Sequence, residues 1–331
     1  MHRVADQIVE ILEKAGVKRI YGIVGDSLNP VTDALRRRKT IEWIHVRHEE
    51  VAAFAASAEA QLSGNLAVCC GSSGHGNLHL INGLFDAHRN HAPVLAIASH
   101  IPQSQVGMEY FQATHPEQLF KECSAYAELV SEASQAPSIL MSAIQHAWAR
   151  RDVGVVVLPG DIADAPAEMK NLVHPPSYTR ENVVPEHESV SLLARMLDDH
   201  RRITFFCGAG CAGAEDKVVR LAHRLKAPIA YTWRGKDYFE HDNPLGIGMT
   251  GLLGWGDAYK AMHESDMLVL WGTDFPYFNF LPTKPAIVQI DRRGEVLGRR
   301  CRLDLGICGD VGATVDALLG MVEEKKDSDH L

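Results

Sequence analysis

The sequence has no long apolar run. None approaches the roughly 20 apolar residues that a membrane-spanning helix needs, and the opening "MHRVADQIVEIL" is amphipathic, unlike the apolar core of a secretion signal. It has no densely basic stretch and its net charge is −9. That argues against nucleic acid, or an anionic membrane surface, as the main partner. A cysteine framework is also missing. There are seven cysteines, an odd number without regular spacing, and neither Cys69-Cys70 nor Cys207/Cys211 has histidines at zinc-binding spacing. Reduced thiols in a cytoplasmic protein are the expectation. No segment repeats at a solenoid period.

What is present points to two α/β domains. The chain has 331 residues, of which 46% are hydrophobic and 23% charged, enough for two cores. In the first half, helical and strand patterns alternate. "VKRIYGIV", "IEWIHV", "LAVCCG", "APVLAIAS" and "GVVVLPGD" read as strands, and "EEVAAFAASAEAQLSG" and "NLHLINGLFDAHRN" as helices. Asn29-Pro30 reads as an N-cap and first helical residue. This alternation predicts a parallel sheet covered on both faces. Residues 162–190 change character, with Pro166, Pro175, Pro176 and Pro185 in a segment without periodicity. A linker over 166–188 therefore separates a domain at 1–165 from one at 189–325. The second domain repeats the pattern in "RITFFCGAGCAGAEDKVVRLAHRLKAPIAYTW", "DMLVLWGT" and "PAIVQID".

Three features invite chemistry. Gly208, Gly210 and Gly213 stand in GxGxxG spacing between a strand and a helix, where backbone can approach a diphosphate. The next strand ends in Thr232-Trp233-Arg234, without the acid that an NAD site requires. A tight turn without ligand competes equally on these residues. "GSSGHGN" (71–77) is a second glycine-rich turn; its serines do not form a GxSxG elbow. His88 falls on the side of the helix opposite His79, and His88 and His91 could be neighbours, which argues against a metal shared by all three. The third feature is Glu49-Glu50, ahead of an alanine-rich helix. Acids at a helix start are ordinary, worth a few tenths to about 1 kcal/mol. Ala52, Ala53 and Ala56 share a face with Glu49 and leave room for something to approach closely.

Taken together, "RHEEVAAFAASAEAQLSG", "GSSGHGNLHLINGLFDAHRNHAPVLAIASHIP", "FQATHPEQLF", "RGKDYFEHDNPLGIGMTGLLG" and "GTDFPY" resemble thiamine-diphosphate-dependent, flavin-containing pyruvate oxidases, above all the bacterial quinone-dependent pyruvate dehydrogenases. The resemblance runs over nearly the whole chain; acetolactate synthases share the architecture. It implies two doubly wound parallel-sheet domains: a pyrimidine-binding domain and a middle FAD-binding domain. Glu49, rather than Glu50, matches the family's glutamate, which hydrogen-bonds the cofactor's aminopyrimidine and drives its activation. Ser27, His79, Phe111 and Gln112 match the active-site lining. Gly208 and Gly210 match the flavin cradle, with Thr250, Gly251, Leu252, Leu253, Thr273, Asp274, Phe275, Pro276, Tyr277 and Asp291 around the rest of the dinucleotide. The implied substrate is pyruvate, converted to acetate and carbon dioxide, with electrons passing through FAD to a quinone. The implied alternatives are an acetolactate-forming enzyme and a catalytically incomplete flavin-binding homologue.

Three departures stand out. His75 replaces the proline of the family's "GPG", and Ala113 the glutamate of "FQE". No GDG motif with a following asparagine is found, so the third domain, which holds Mg2+ and the cofactor's diphosphate, is expected to be absent from this chain. A fragment, a split subunit and a degenerate homologue are the competing explanations. The chain alone is expected to be inactive. A homo-oligomer (dimer or tetramer), or a partner chain carrying the diphosphate domain, would complete the site. Peripheral membrane association would need the family's C-terminal segment.

Overall fold

The computed structural model describes residues 2–167, 178–179, 181–254, 256–327 and 330. Much of the expected linker, including Pro175 and Pro176, lies outside the described residues. The chain divides into two compact units, Met1–Arg180 and Glu181–Leu331. Among the described residues no helix is long and apolar enough to cross a membrane.

The first unit runs α1 (Val4–Lys14), β1 (Arg19–Gly22), α2 (Asn29–Arg38), β2 (Glu42–His45), α3 (Glu49–Ser63), β3 (Ala67–Gly71), α4 (His75–Arg89), β4 (Val94–His100), α5 (Pro116–Leu119), β5 (Tyr126–Leu129), α6 (Ala136–Arg150), β6 (Val153–Pro159) and α7 (Gly160–Asp164). Its six strands form one parallel sheet in the order β2-β1-β3-β4-β6-β5. The central strands β3, β4 and β6 are buried along their whole length, which is why they read as unbroken apolar runs. The order reverses between β1 and β3. The chain leaves β1 toward one edge and β3 toward the other, so a crevice opens at their C-terminal ends.

One expectation needs correction. Asn29 is not the N-cap: a 3-10 turn over Asp26–Leu28 runs straight into α2, so Leu28 caps and Pro30 sits one residue further in. Pro30 still tolerates this place, since first-turn amides lack helical acceptors. What approaches the alanines of α3 is the neighbouring helix α4. Ala52, Ala53 and Ala56 are fully buried, and a Cβ on Gly83 of α4 would lie 2.5 Å from the Ala53 Cβ. Small residues on both helices let α3 and α4 approach closely, which brings Glu49 and His79 together.

An ion network ties α2 to α1 and so steadies the 26–28 turn. Asp6, nearly buried, accepts from the Arg3 amide at 2.8 Å and from Arg37. Asp33 binds Arg3, Arg36 and Arg37, and Glu13 binds Arg38 at 2.7 Å. Hydrogen bonds from Arg36, Arg3 and Arg37 hold the Asp33 carboxyl well below the usual carboxylate range. Arg38 lowers Glu13 in the same way. Burial by itself would raise Asp6, but the Arg3 amide and Arg37 outweigh it and lower it.

The second unit runs α8 (His187–Asp199), β7 (Ile203–Cys207), α9 (Glu215–Leu225), β8 (Ile229–Tyr231), α10 (Lys236–Phe239), β9 (Gly246–Met249), α11 (Gly256–Glu264), β10 (Met267–Trp271), β11 (Ala286–Asp291), β12 (Leu305–Cys308) and α12 (Val311–Leu319). The sheet is again six-stranded and parallel, in the order β12-β11-β10-β7-β8-β9. Its order reverses between β7 and β10. Each unit thus has its own crevice at a switch point.

Candidate active site and dinucleotide crevice

In the first unit the turn after β3 is the hub of the site. Gly25, in the loop after β1, lies so close that a Cβ there would be 2.5 Å from the Ser72 Cβ. The Ser27 hydroxyl accepts from the Ser73 amide at 3.0 Å, and the Ser27 carbonyl accepts from the Ser99 hydroxyl at 2.6 Å. Ser27 is therefore buried and tied to the ends of β3 and β4. The Ser73 hydroxyl donates to Gln112 Oε1 at 3.3 Å. Gly74 has a left-handed φ of 71°, and a Cβ on it would meet the Gln112 Cβ at 3.1 Å. A Cβ on Gly76 would lie 3.2 Å from Glu49 Oε1. Around residues 72–76, then, the structure brings together Ser27, Glu49, His79 and Gln112. Phe111 stands on the same loop as Gln112, 77% exposed, with its ring against Tyr110.

The two glutamates part company at the start of α3. His48 caps the helix, its Nδ1 accepting from the Glu50 amide at 3.3 Å. Glu50 bonds the Asn82 side chain on the surface of α4. Glu49 is 8% exposed, and its Oε2 lies 3.0 Å from His79 Nδ1. A carboxyl withdrawn from water with an imidazole on one oxygen can share a proton with a second nitrogen. The His48 and His79 rings stack, with centroids 4.2 Å apart and planes tilted 27°. Ligand atoms of His48, Glu49 and His79 lie within 4.8 Å of one another, spacing that could attract a metal ion. The near-parallel stack counts against that, because in-plane lone pairs then run side by side instead of converging.

Sequence reasoning missed His48, Ser73, Asn77 and Ser99. Asn77 is fully buried, and its Nδ2 donates to the Ser99 carbonyl at 2.7 Å. The one available signal was position: "GSSGHGN" follows a central strand beside a switch point. The departures are quiet. His75 is the exposed first residue of α4, and Ala113 is exposed. His88 pairs with Asp152 at 2.7 Å, well apart from this cluster in its contacts.

In the second unit the residues named from the resemblance form two groups. The first surrounds the switch point. Gly208 and Gly210 pack on the loop after β10: a Cβ on Gly208 would lie 2.6 Å from the Gly272 carbonyl oxygen and from the Thr273 Cβ. The buried Gln289 donates to the Thr273 carbonyl at 3.0 Å. The second group is aromatic. Gly251 has a φ of 118°, and a Cβ on it would meet the Phe275 ring at 3.1 Å. Phe275 is buried and packs edge-on against Phe206 and Tyr277. Thr250 is buried; Leu252, Leu253, Pro276 and Tyr277 are exposed. Asp274 bonds Arg299 and Arg300, and Asp291 bonds the Arg293 amide and guanidinium.

Comparison with known proteins agrees with this arrangement. Residues 2–120 match the thiamine pyrophosphate enzyme N-terminal TPP binding domain, and residues 190–318 match the thiamine pyrophosphate enzyme central domain. The chain is 56% identical to an uncharacterised 42.6 kDa protein of Pseudomonas amyloderamosa, over 99% of this chain and 83% of that protein. It is 31% identical to pyruvate oxidase of Lactiplantibacillus plantarum, over 97% of this chain and 54% of the enzyme. It is 27% identical to chloroplastic acetolactate synthase of Arabidopsis thaliana, over 98% of this chain and 50% of the enzyme. The chain thus spans about half the length of these two enzymes. With both domain types matched in order, and each lying on its own parallel sheet, the chain belongs to the thiamine pyrophosphate enzyme family.

Proposed function

We propose that this chain supplies the pyrimidine-binding half of a thiamine diphosphate site, with Glu49 as the acid that meets the ring, in an enzyme that oxidises pyruvate through FAD. The observation that carries the reading is the placement of Glu49: nearly buried, one oxygen on His79, the other flanked by the bare Cα of Gly76. That environment fits a nitrogen heterocycle, which needs a partner able to hold or give up a proton away from water. Bound thiamine diphosphate supplies a nucleophilic carbon and the electron sink for decarboxylating a 2-keto acid.

The chain's own residues do the rest. Glu49 holds the proton, and His79 orients its carboxyl through Nδ1. Ser73 takes Gln112 by its carbonyl oxygen, which leaves the Gln112 amide nitrogen to donate toward substrate. Phe111 offers an exposed apolar face. Val51, Phe54 and Leu78 are exposed on the two helices that carry Glu49 and His79, in keeping with a diphosphate-binding domain that covers them. Magnesium would sit with that domain. The similarity to a pyruvate oxidase favours pyruvate as substrate and flavin as oxidant, with a quinone as the next acceptor.

The test is reconstitution. Supplied with a diphosphate-binding domain, thiamine diphosphate, Mg2+, FAD and a quinone as electron acceptor, the chain is expected to turn over pyruvate to acetate and carbon dioxide. Glu49→Gln is expected to lower turnover about 10²- to 10⁴-fold, the usual weight of a positioned acid-base group, with an unchanged melting curve. Full turnover by Glu49→Gln would defeat the assignment of Glu49. Acetolactate as the product would replace the oxidase reading.

A further inference from the structure

A phosphate bound at a strand-to-helix turn takes free backbone amides and the positive end of the following helix. In the turn after β7 most of the amides are already bonded. The amides of Gly208 and Gly210 donate to the carbonyls of Trp271 and Gly272, each at 2.9 Å. Those of Cys211, Ala212 and Ala214 close the turn on itself. The Gly213 amide donates to the Glu215 carboxylate at 2.9 Å. α9 then opens on Glu215 and Asp216, which offset its dipole and repel an incoming anion. A Cβ on Gly210 would lie 2.6 Å from the Gly272 Cα. The missing side chains therefore serve packing of loop on loop.

Positive charge lies on the opposite lip of the same crevice. Asp274, two residues beyond Gly272, accepts from Arg299 Nη1 on one oxygen and from Arg300 Nε on the other, both at 3.1 Å. The arginine loop is fixed to the β10 loop by Gln289, whose Oε1 accepts from the Gly298 amide at 3.0 Å while its Nε2 holds the Thr273 carbonyl. Two guanidiniums on one carboxylate leave a net positive charge. Arg299 spends Nη2 on the Glu295 carbonyl at 3.2 Å. Among the described residues Arg300 is engaged through Nε alone, so its terminal nitrogens remain as a planar fork. That fork matches two oxygens of a phosphate.

We propose that Arg300, aligned by Asp274 and backed by Arg299, is the anion clamp of this crevice and takes the diphosphate of a bound dinucleotide in place of the glycine turn. That the dinucleotide is a flavin rests on the function proposed above; the clamp itself needs only a nucleoside diphosphate.

The test is equilibrium titration of the chain with FAD, ADP and riboflavin at low and high salt. Arg300→Gln removes one partly exposed bond, so the fold should survive, as a melting curve would verify; Arg299→Gln/Arg300→Gln is the stronger variant. Both are expected to weaken FAD and ADP binding about tenfold or more, the scale of a lost charge-assisted pair, and to flatten its salt dependence. Riboflavin has no phosphate, and its affinity should not move. The clamp is overturned if folded Arg300→Gln binds FAD and ADP as before, if riboflavin weakens equally, or if the unaltered chain binds neither nucleotide. Arginine-dependent ADP binding, with FAD no tighter than ADP, would keep the clamp and sink the flavin reading alone.

Discussion

The two units share a plan and diverge at the same point in it. Each has a six-stranded parallel sheet whose order reverses once, and each places a glycine-rich turn at the reversal. In the first unit the turn leads into α4, which opens on Gly74 with no side-chain cap and no acid in its first turn. Side chains from three other segments (Ser27, Glu49 and Gln112) converge on that turn. In the second unit the turn leads into a helix that opens on two acids, and most of its amides are already bonded. Topology selects where a ligand can sit; side chains and amide bookkeeping decide what kind.

The largest effect that would sharpen this contrast comes from paired glycine substitutions. Gly210→Ala drives a Cβ into the backbone of Gly272, where nothing flexible can yield, and is expected to cost about 1–3 kcal/mol or more in urea unfolding of the second unit. Gly76→Ala meets mainly the Ser72 hydroxyl at 2.9 Å and Glu49 Oε1 at 3.2 Å, groups with more freedom to move. It should cost less stability while disturbing activity in the reconstituted enzyme. Equal stability losses would break the distinction between a packed crevice and a ligand-facing one.

Acid should act next, through the α1–α2 network. Asp6, Glu13 and Asp33 are lowered in the folded state, so their contribution is present above the unfolded carboxylate pKa of about 4. It is lost as pH falls through their lower folded values. Asp33 and its partners are partly exposed, so salt should weaken their share. Unfolding midpoints of the first unit are expected to fall between pH 5 and strongly acid conditions, and Asp6→Asn should flatten that fall. A midpoint independent of pH over this range would show that the network does not support the 26–28 turn.

The smallest expected effect is His75→Pro, which restores the family's residue. His75 is the first residue of α4, where proline's fixed φ suits the helix and the missing amide is affordable, and the preceding Gly74 has no side chain to clash. A gain of about 0.4–1 kcal/mol is expected in thermal or urea unfolding. A loss would mean that the His75 amide has a role at the crevice that proline removes.

The sheets were legible in the sequence because a strand buried on both faces must be apolar throughout, as β3, β4 and β6 are. The GxGxxG spacing was equally visible, but not the fate of its amides, which depends on Gly272, over sixty residues away. Glu49 and Glu50 were indistinguishable by local physics, since both sit in the first turn of α3. The family resemblance separated them in advance; the structure separates them by what each touches. What the alanines behind them admit was not legible, because a small-residue face is equally suited to a ligand and to a neighbouring helix.

By itself, the sequence determined the alternation of helix and strand, two cores and membership of the thiamine enzymes, all properties written in local pattern or in long shared motifs. Tertiary structure alone decided that Glu49 is withdrawn from water beside His79, that Ser27 is a strut held by Ser73 and Ser99, and that Asp274 gathers two arginines. Those outcomes join residues some 25 to 70 positions apart. Hydrogen bonds and close contacts at such separations follow from where the sheet order reverses, and no local periodicity records that.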